Sequence, residues 1–284
     1  TGVQTCALPI CRLQCALIFS QSPHVLAKIT GFGILRFDGA DAQSFLQGQL
    51  TSDVKALAVG QHQYTGYCTA KGRLLCTGLL WRTANGYDLM LPQELIEPMR
   101  KRLSMYILRA KVKASDASGD YALLSATADN GDTLPDALRL NLADGRRLIV
   151  APASAAADIS EIAPWTRMDI EAGIPAITTA TQEQFVPQSV NLDCIGAVSF
   201  SKGCYPGQEI VARTHYLGKV KQRMVRAHVN AQASAGDKLY ASAFGDQASG
   251  MIVNAVANNN GSADVLAVVH THSIESGKIG RAHV

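Results

Sequence analysis

Short runs that alternate apolar and polar residues, separated by turn-forming residues, constrain the fold of this chain more than any other feature. Two such runs, at residues 64–69 and 74–81, predict a pair of strands around a glycine turn. Asn85 and Gly86 come next and mark a hairpin, because both positions of that turn tolerate positive φ. From residue 224 onward the same pattern continues without helical segments, which predicts a small all-β module.

Helical patterns lie between these runs. Asp41 is a candidate N-cap for a short helix after a strand at residues 32–37. Residues 93–106 place their apolar side chains on one helical face, and residues 165–173 predict a short apolar helix that ends at a glycine. Strands and helices mixed in this order predict an α+β fold with antiparallel sheets.

Length and composition exclude several classes of protein. The chain has 284 residues, of which 47% are hydrophobic and 17% charged, so it can form two domains with a sizeable core and is not a disordered chain. The net charge of +3 is too small to mark a nucleic-acid-binding protein by charge alone. No apolar run approaches the roughly 18–20 residues of a membrane span, so we expect a cytoplasmic protein without a membrane partner.

The cysteines do not have the spacing of a metal site. Six of the seven lie beyond residue 10, with no CxxC pair and no histidines at zinc-finger spacing, so no metal site is expected. A chain of this length does not depend on disulfides for its stability, so reduced thiols are expected.

The two ends of the chain have the character of flanking DNA that has been translated. Codons can be chosen for residues 4–10 whose reverse complement encodes residues 279–284, and both peptides resemble adapter sequence. We therefore interpret residues 1–10 and 279–284 as scars, expect both native ends to be missing, and leave them out of the fold prediction. The remainder divides into an α+β region at residues 11–222 and a β module at residues 223–278, which we expect to be truncated at its C-terminal end.

The segment KGCYPGQE, at residues 202–209, is the main candidate for a functional site. Two glycines and a proline around Cys204 predict a tight turn just before a helix at residues 208–214. A thiol there meets the positive end of the helix dipole, and Lys202 lies two residues away; both would lower the thiol pKa and favour the thiolate. The alternative is a small buried cysteine in a structural turn.

Neighbouring residues have possible supporting roles. Gln208 and Glu209 are suited to accept hydrogen bonds from free amides in the first turn of the helix. His215 is the nearest histidine and is either a base partner for the thiol or an ordinary surface residue.

This segment and the residues up to 223 resemble the signature of the YgfZ family, the folate-binding relatives of the glycine-cleavage aminomethyltransferase (T-protein). Shorter stretches fit in the same order between residues 39 and 192, so the resemblance spans about two thirds of the chain. The residues that carry the central motif are Lys202, Gly203, Cys204, Tyr205, Gly207, Gln208, Glu209 and Arg213.

The resemblance implies a T-protein-like fold, with ferredoxin-like α+β parts and a small C-terminal β-barrel around a central opening. It also implies binding of tetrahydrofolate or a derivative, and a role in iron–sulfur cluster assembly or repair that affects tRNA methylthiolation, with Cys204 as the functional thiol. The aromatic residues that contact folate in the family fall on Phe32 and Trp165. Stacking of a flat pterin ring on such a side chain contributes about 0.5–1.5 kcal/mol beyond area burial. For Trp165, packing in the core is an equally open interpretation.

One difference from the aminomethyltransferase bears on catalysis. That enzyme carries an aspartate in the stretch that matches residues 71–81, whereas this chain has Cys76 and Thr77 there and no carboxylate. Neutral side chains cannot act as a base or stabilise a developing cation at that place. We therefore expect a folate binder that has lost the parent reaction, although whether the chain is an enzyme stays open.

Two other functions are compatible with these residues. One is an active folate-dependent one-carbon transferase with an unknown substrate. The other is a thiol-dependent scaffold that binds a cluster or a partner directly, although a single cysteine cannot hold a cluster that needs four thiolates.

Basic residues form two groups, one after the cysteine segment and one at residues 100–113. They would attract a polyglutamylated folate tail or RNA phosphates, or they are a solvated face, which we favour for the second group. The expected partners are thus folate and iron–sulfur enzymes or cluster carriers, with no direct nucleic-acid partner.

Overall fold

The structure is a computed structural model, and it describes residues 3–5, 26–126, 134–218, 220–241 and 244–271. Within these ranges the chain forms antiparallel sheets and short helices. The strands are β1 (Val3–Thr5), β2 (Ala27–Lys28), β3 (Phe32–Asp38), β4 (His62–Cys68), β5 (Leu74–Arg82), β6 (Gly86–Pro92), β7 (Lys113–Asp116), β8 (Tyr121–Ala126), β9 (Leu138–Asn141), β10 (Arg147–Pro152), β11 (Gln222–Val229), β12 (Lys238–Tyr240), β13 (Ala248–Ala257) and β14 (Ala263–His270). The α-helices are α1 (Ala42–Gln47), α2 (Gln93–Ser104), α3 (Trp165–Ala172) and α4 (Gln208–Tyr216). Short 3₁₀ turns lie at Val54–Ala56, Ala153–Ala156 and Pro187–Val190.

The first sheet has the order β4-β5-β6-β3-β7 and supports α1 and α2. The hairpin predicted at Asn85 and Gly86 joins β5 to β6, and the Thr83 amide donates to the Gly86 carbonyl oxygen. Along α2 the apolar residues share one face, as predicted, and Leu95, Met99 and Leu103 are buried in the core with residues of α1 and the sheet. This core explains why the helices lie on the sheet rather than free in solvent.

The second sheet, of order β2-β8-β10-β9, packs against the first through a shared apolar cluster. Ile34 and Trp81 of the first sheet meet Leu123 and Leu148 of the second there, and Trp165 at the start of α3 joins them. Gly173 ends α3 in a left-handed conformation with φ of 70°, which a glycine adopts without steric cost. The helix and its glycine stop were both predicted from the sequence.

The third sheet, of order β1-β11-β14-β13-β12, is the β module predicted from residue 224. Its core is made by short side chains such as Val225, Val265 and Ala267. The edge strand β1 lies within residues 1–10, which the sequence interpretation treats as a scar, and it pairs with β11 through the main chain. Because any non-proline sequence can supply such main-chain hydrogen bonds, the pairing does not test that interpretation. Residues 279–284 lie outside the described residues, as do residues 272–278 of the predicted β module.

Two local predictions need correction. Asp41 does precede α1, but its side chain makes no capping bond; its Oδ2 accepts a hydrogen bond from the Lys111 amide at 2.7 Å instead. Cys68, Cys76 and Cys204 are free thiols, but Cys194 is disulfide-bonded, so the expectation of reduced cysteines is wrong at that position.

In the part of the chain that the structure describes, no helix is both long and apolar enough to cross a membrane. The same residues contain no group of three or more His, Cys, Asp or Glu side chains arranged to hold a metal ion.

Candidate functional site around Cys204

The cysteine loop, residues 202–207, leads directly into α4 and presents its thiol to solvent. Cys204 is exposed and free, in contrast to Cys68 and Cys76, which are buried. Burial raises the pKa of the Cys68 thiol, and it raises that of Cys76 to about 12. Of the free cysteines in the described ranges, Cys204 is thus the accessible one, and the buried-cysteine alternative does not describe it.

Two glycines from different motifs hold the loop by close backbone contact. Gly207 has φ of +80°, and a Cβ added there would lie 2.5 Å from the Thr69 carbonyl oxygen and 2.6 Å from the Gly72 Cα. Gly72, in the turn between β4 and β5, also has positive φ and lies against Ile210 of α4. Both glycines are required because side chains would separate the two backbones and strain the dihedral angles.

Lys202 fixes the other end of the loop. Its side chain is buried, and Nζ donates hydrogen bonds to the carbonyl oxygens of Leu50 at 2.6 Å and Ser52 at 2.9 Å. Nζ also lies 5.1 Å from the centre of the Tyr205 ring. Burial lowers the pKa of Lys202 to about 8, while the nearby Asp53 carboxylate opposes this shift. The ammonium group is thereby committed to holding the loop.

The structure gives Lys202 contacts that the sequence did not predict, since its hydrogen bonds go to residues about 150 positions away in the chain. The effect of its charge on the thiol stays a prediction. The helix begins where the sequence predicts, since α4 starts at Gln208, and its N-cap residue Gly207 lies between the helix and Cys204.

The remaining motif residues divide between the loop and the surface. Tyr205 is buried, and this burial raises the pKa of its hydroxyl, with a smaller contribution from Cys68. Gln208 makes two hydrogen bonds within the loop. Its backbone amide donates to the Tyr205 carbonyl oxygen at 3.1 Å, and its side-chain Nε2 donates to the Lys202 carbonyl oxygen at 3.3 Å. Glu209 and Arg213 are exposed on α4, and Gly203 meets nothing within 4 Å of an added Cβ.

His215 lies at the far end of α4, in contact with aromatic rings. Its ring stacks on Phe200 with centroids 3.7 Å apart and an interplanar angle of 15°, and it meets Tyr216 edge-on at 4.8 Å. The interactions described for this imidazole are thus with rings, and none of them joins it to Cys204.

The two predicted folate-contacting aromatics belong to one apolar cluster but differ in exposure. Phe32 is half-buried and lines a cavity of about 160 Å³ whose polar walls include Gln93, Ser118 and Tyr121. Trp165 is only 4% exposed and packs in the cluster between the first two sheets. The structure brings both residues to the same core, but the cavity wall includes Phe32 alone of the two.

A buried ionic network covers one face of Trp165, and sequence analysis missed it. The Arg146 guanidinium lies 4.4 Å from the indole centre, and it donates to Asp144 and Asp169, each at 2.8 Å. Burial raises the pKa of Asp169 to about 6, although the Arg146 charge opposes the shift. No sequence signal marks this group, because Arg146 and Asp169 lie 23 residues apart in a turn and a helix.

The positions at which the family resemblance implies an aspartate in the aminomethyltransferase make structural contacts in this chain. Cys76 and Thr77 are buried in β5. The Thr77 hydroxyl donates to the Pro175 carbonyl oxygen at 2.8 Å and accepts from the Ile177 amide at 3.0 Å. Both hydrogen-bonding functions of the hydroxyl are therefore used to join β5 to the loop after α3.

Comparison with known proteins identifies the family. No protein-family model matches the chain. The tRNA-modifying protein YgfZ of Edwardsiella ictaluri is 34% identical over 238 residues, which cover 70% of this chain and 72% of that protein. The chain belongs to the YgfZ family. A second relative of the same name, from Photorhabdus laumondii, is 31% identical over an alignment of 302 residues that covers 94% of this chain and 91% of the relative.

The fold of this member of the YgfZ family is similar to that of a solved enzyme structure. Glycine cleavage system aminomethyltransferase T from Bartonella henselae matches with a TM-score of 0.66 at 16% identity, over 87% of this chain and 78% of that chain. The predicted aminomethyltransferase-like α+β fold is therefore confirmed. At this level of identity the likeness concerns the fold and not the reaction.

Proposed function

We propose that this chain is a tetrahydrofolate-binding accessory protein of the cytoplasm that supports iron–sulfur cluster assembly or repair. Through its cluster-containing partner enzymes or cluster carriers it would promote tRNA methylthiolation. The YgfZ relatives carry the name tRNA-modifying protein, which supports the link to tRNA modification. Folate binding and the iron–sulfur role are what the family resemblance implies, and Cys204 is the functional thiol of the proposal.

The exposed thiol of Cys204 carries this proposal. The loop that bears it is fixed by Lys202 at one end and by Gly207 at the other, so the thiol is presented without being buried. A thiol that only filled space would be enclosed, as those of Cys68 and Cys76 are. A thiol that is both fixed and accessible can contact a group on a partner protein.

The cavity at Phe32 is the natural place for one ring system of the folate. Its volume of about 160 Å³ is below the range of about 300–1,000 Å³ that encloses a drug-sized ligand, so it would take one end of tetrahydrofolate. Half-buried Phe32 lines this cavity and is the aromatic side chain proposed to contact the ring, and Gln93 and Ser118 supply polar groups. Trp165 would act at the edge of the site or through its packing in the same cluster.

The alternative of an active one-carbon transferase has less support. Thr77 uses both functions of its hydroxyl to hold the chain, and burial keeps the Cys76 thiol protonated at neutral pH by raising its pKa to about 12. Neither group is available as a base for the parent reaction.

Tryptophan fluorescence tests folate binding directly, because the chain contains only Trp81 and Trp165. Tetrahydrofolate is titrated into the chain, into Trp81→Phe, in which Trp165 is the sole reporter, and into Phe32→Ala. We expect saturable quenching that persists in Trp81→Phe and weakens at least tenfold in Phe32→Ala. A folded chain that shows no saturable quenching would remove folate from the proposal.

Cys204→Ser separates the two halves of the proposal. We expect this variant to bind tetrahydrofolate as the parent does, yet to fail to restore tRNA methylthiolation in a bacterium that lacks its own YgfZ gene. Gly203→Ala, in the same loop, is the matched control and should restore it. Full restoration by Cys204→Ser would show that the thiol has no function in this process.

A further inference from the structure

The surface after the C-terminal end of α2 carries apolar side chains that the rest of the fold leaves uncovered. Met105, Tyr106 and Leu108 are 65%, 49% and 87% exposed. Ile107, between them, packs inward against the core beneath the helix. Ile107 thereby anchors the loop to the core, and the residues on either side of it face solvent.

Basic side chains flank these apolar groups. Lys101, Arg109 and Lys111 are exposed, and Lys101 lies one helical turn before Met105. Residues 97–113 contain six Lys and Arg against one acidic residue, Glu97.

The carboxylates near these basic residues do not neutralise their charge. Glu97 is shared by Arg100 at 2.7 Å and Lys101 at 3.4 Å. Asp41 accepts a hydrogen bond from the backbone amide of Lys111, but among the described residues neither the Arg109 nor the Lys111 side chain takes part in an ion pair. The surface therefore keeps a positive charge around its apolar centre.

We propose that Lys101, Met105, Tyr106, Leu108, Arg109 and Lys111, together the α2–β7 surface, dock a protein partner that has acidic groups around an apolar centre. Tyr, Met and Arg are enriched in protein interfaces, and complementary charges at the rim orient the partner. The solvated face favoured from the sequence explains the basic residues but not the three exposed apolar side chains beside them.

Other occupants fit the α2–β7 surface less well. An RNA would pair with the basic groups through its phosphates but would leave Met105 and Leu108 in water. A second copy of the chain would bring two positive surfaces together, which repel each other. A protein of opposite charge satisfies both the apolar centre and the basic rim. This proposal depends neither on folate binding nor on Cys204.

Site-specific photo-crosslinking in a bacterium that lacks its own YgfZ gene tests the proposal. Benzoylphenylalanine replaces Leu108 in the full chain, and the same group at Val59, which is 61% exposed on a different loop, is the control. We expect irradiation to give a protein adduct from position 108 that is absent from position 59. Mass spectrometry should identify a partner with a net negative surface.

Charge reversal decides whether complementarity selects that partner. The variant Lys101→Glu, Arg109→Glu and Lys111→Glu, combined with benzoylphenylalanine at position 108, should lose at least nine tenths of the adduct while its circular dichroism stays unchanged. Any of four results overturns the proposal: no adduct, a nuclease-sensitive adduct, an adduct with a second copy, or an adduct that survives charge reversal.

Discussion

Replacing Gly207 with alanine tests how the cysteine loop is held, and Gly203→Ala in the same loop is its matched control. At Gly207 the new Cβ meets the Thr69 carbonyl oxygen at 2.5 Å and the Gly72 backbone nitrogen at 2.7 Å, and φ is +80°. At Gly203 an added Cβ meets nothing within 4 Å, and φ is not in the left-handed range. The two substitutions are chemically identical and differ only in surroundings.

The expected magnitudes follow from these contacts. A left-handed conformation costs a non-glycine residue about 1–2 kcal/mol, and forcing extra atoms into a filled space costs about 1–3 kcal/mol more. Gly207→Ala should therefore lower the free energy of unfolding, or of local loop opening, by about 2–5 kcal/mol. Gly203→Ala should leave it unchanged or raise it by up to about 1 kcal/mol, because alanine lowers the entropy of the unfolded chain.

Two measurements together detect a loss of stability, whether it affects the whole fold or only the cysteine loop. Urea unfolding followed by circular dichroism reports global stability, and hydrogen exchange of the peptides covering residues 202–216 reports opening of the loop and α4 alone. If Gly207→Ala matches Gly203→Ala within about 0.5 kcal/mol in both measurements, the contact between the two glycine turns does not hold the loop, and the reasoning is wrong.

Two further substitutions test buried hydrogen bonds, by urea unfolding. Lys202→Met deprives the Leu50 and Ser52 carbonyls of their donor and should cost about 1–3 kcal/mol at pH 7. Because burial lowers the pKa of Lys202 from 10.5 to about 8, the unfolded chain binds more protons between these values, so the stability of the parent relative to this variant should rise across that range. A difference that shrinks there would contradict the assignment. Thr77→Val removes the hydroxyl between Pro175 and Ile177 and should cost about 1–3 kcal/mol, whereas Thr77→Ser should cost less; equal losses would argue against these bonds.

Local patterns predicted the secondary structure of this chain well where the signal was itself local. The hairpin at Asn85 and Gly86, the apolar face of α2 and the stop of α3 at Gly173 each depend on a few adjacent residues, and each prediction is confirmed. The family could also be predicted, because the motif around Cys204 is contiguous in the sequence. Asp41 shows the limit, since its carboxylate binds Lys111 rather than its own helix.

Within the candidate site, the sequence by itself determined that residues 202–207 form a glycine-rich turn before a helix, and that the turn carries a cysteine. Only the tertiary structure decided what the side chains of that region contact. Lys202 lies two residues from the thiol in sequence, yet its amine binds carbonyl oxygens of Leu50 and Ser52, and Arg146 covers a face of Trp165. Turn and helix preferences arise from dihedral angles and near neighbours, whereas a buried charge must find its partners wherever the folded chain supplies them.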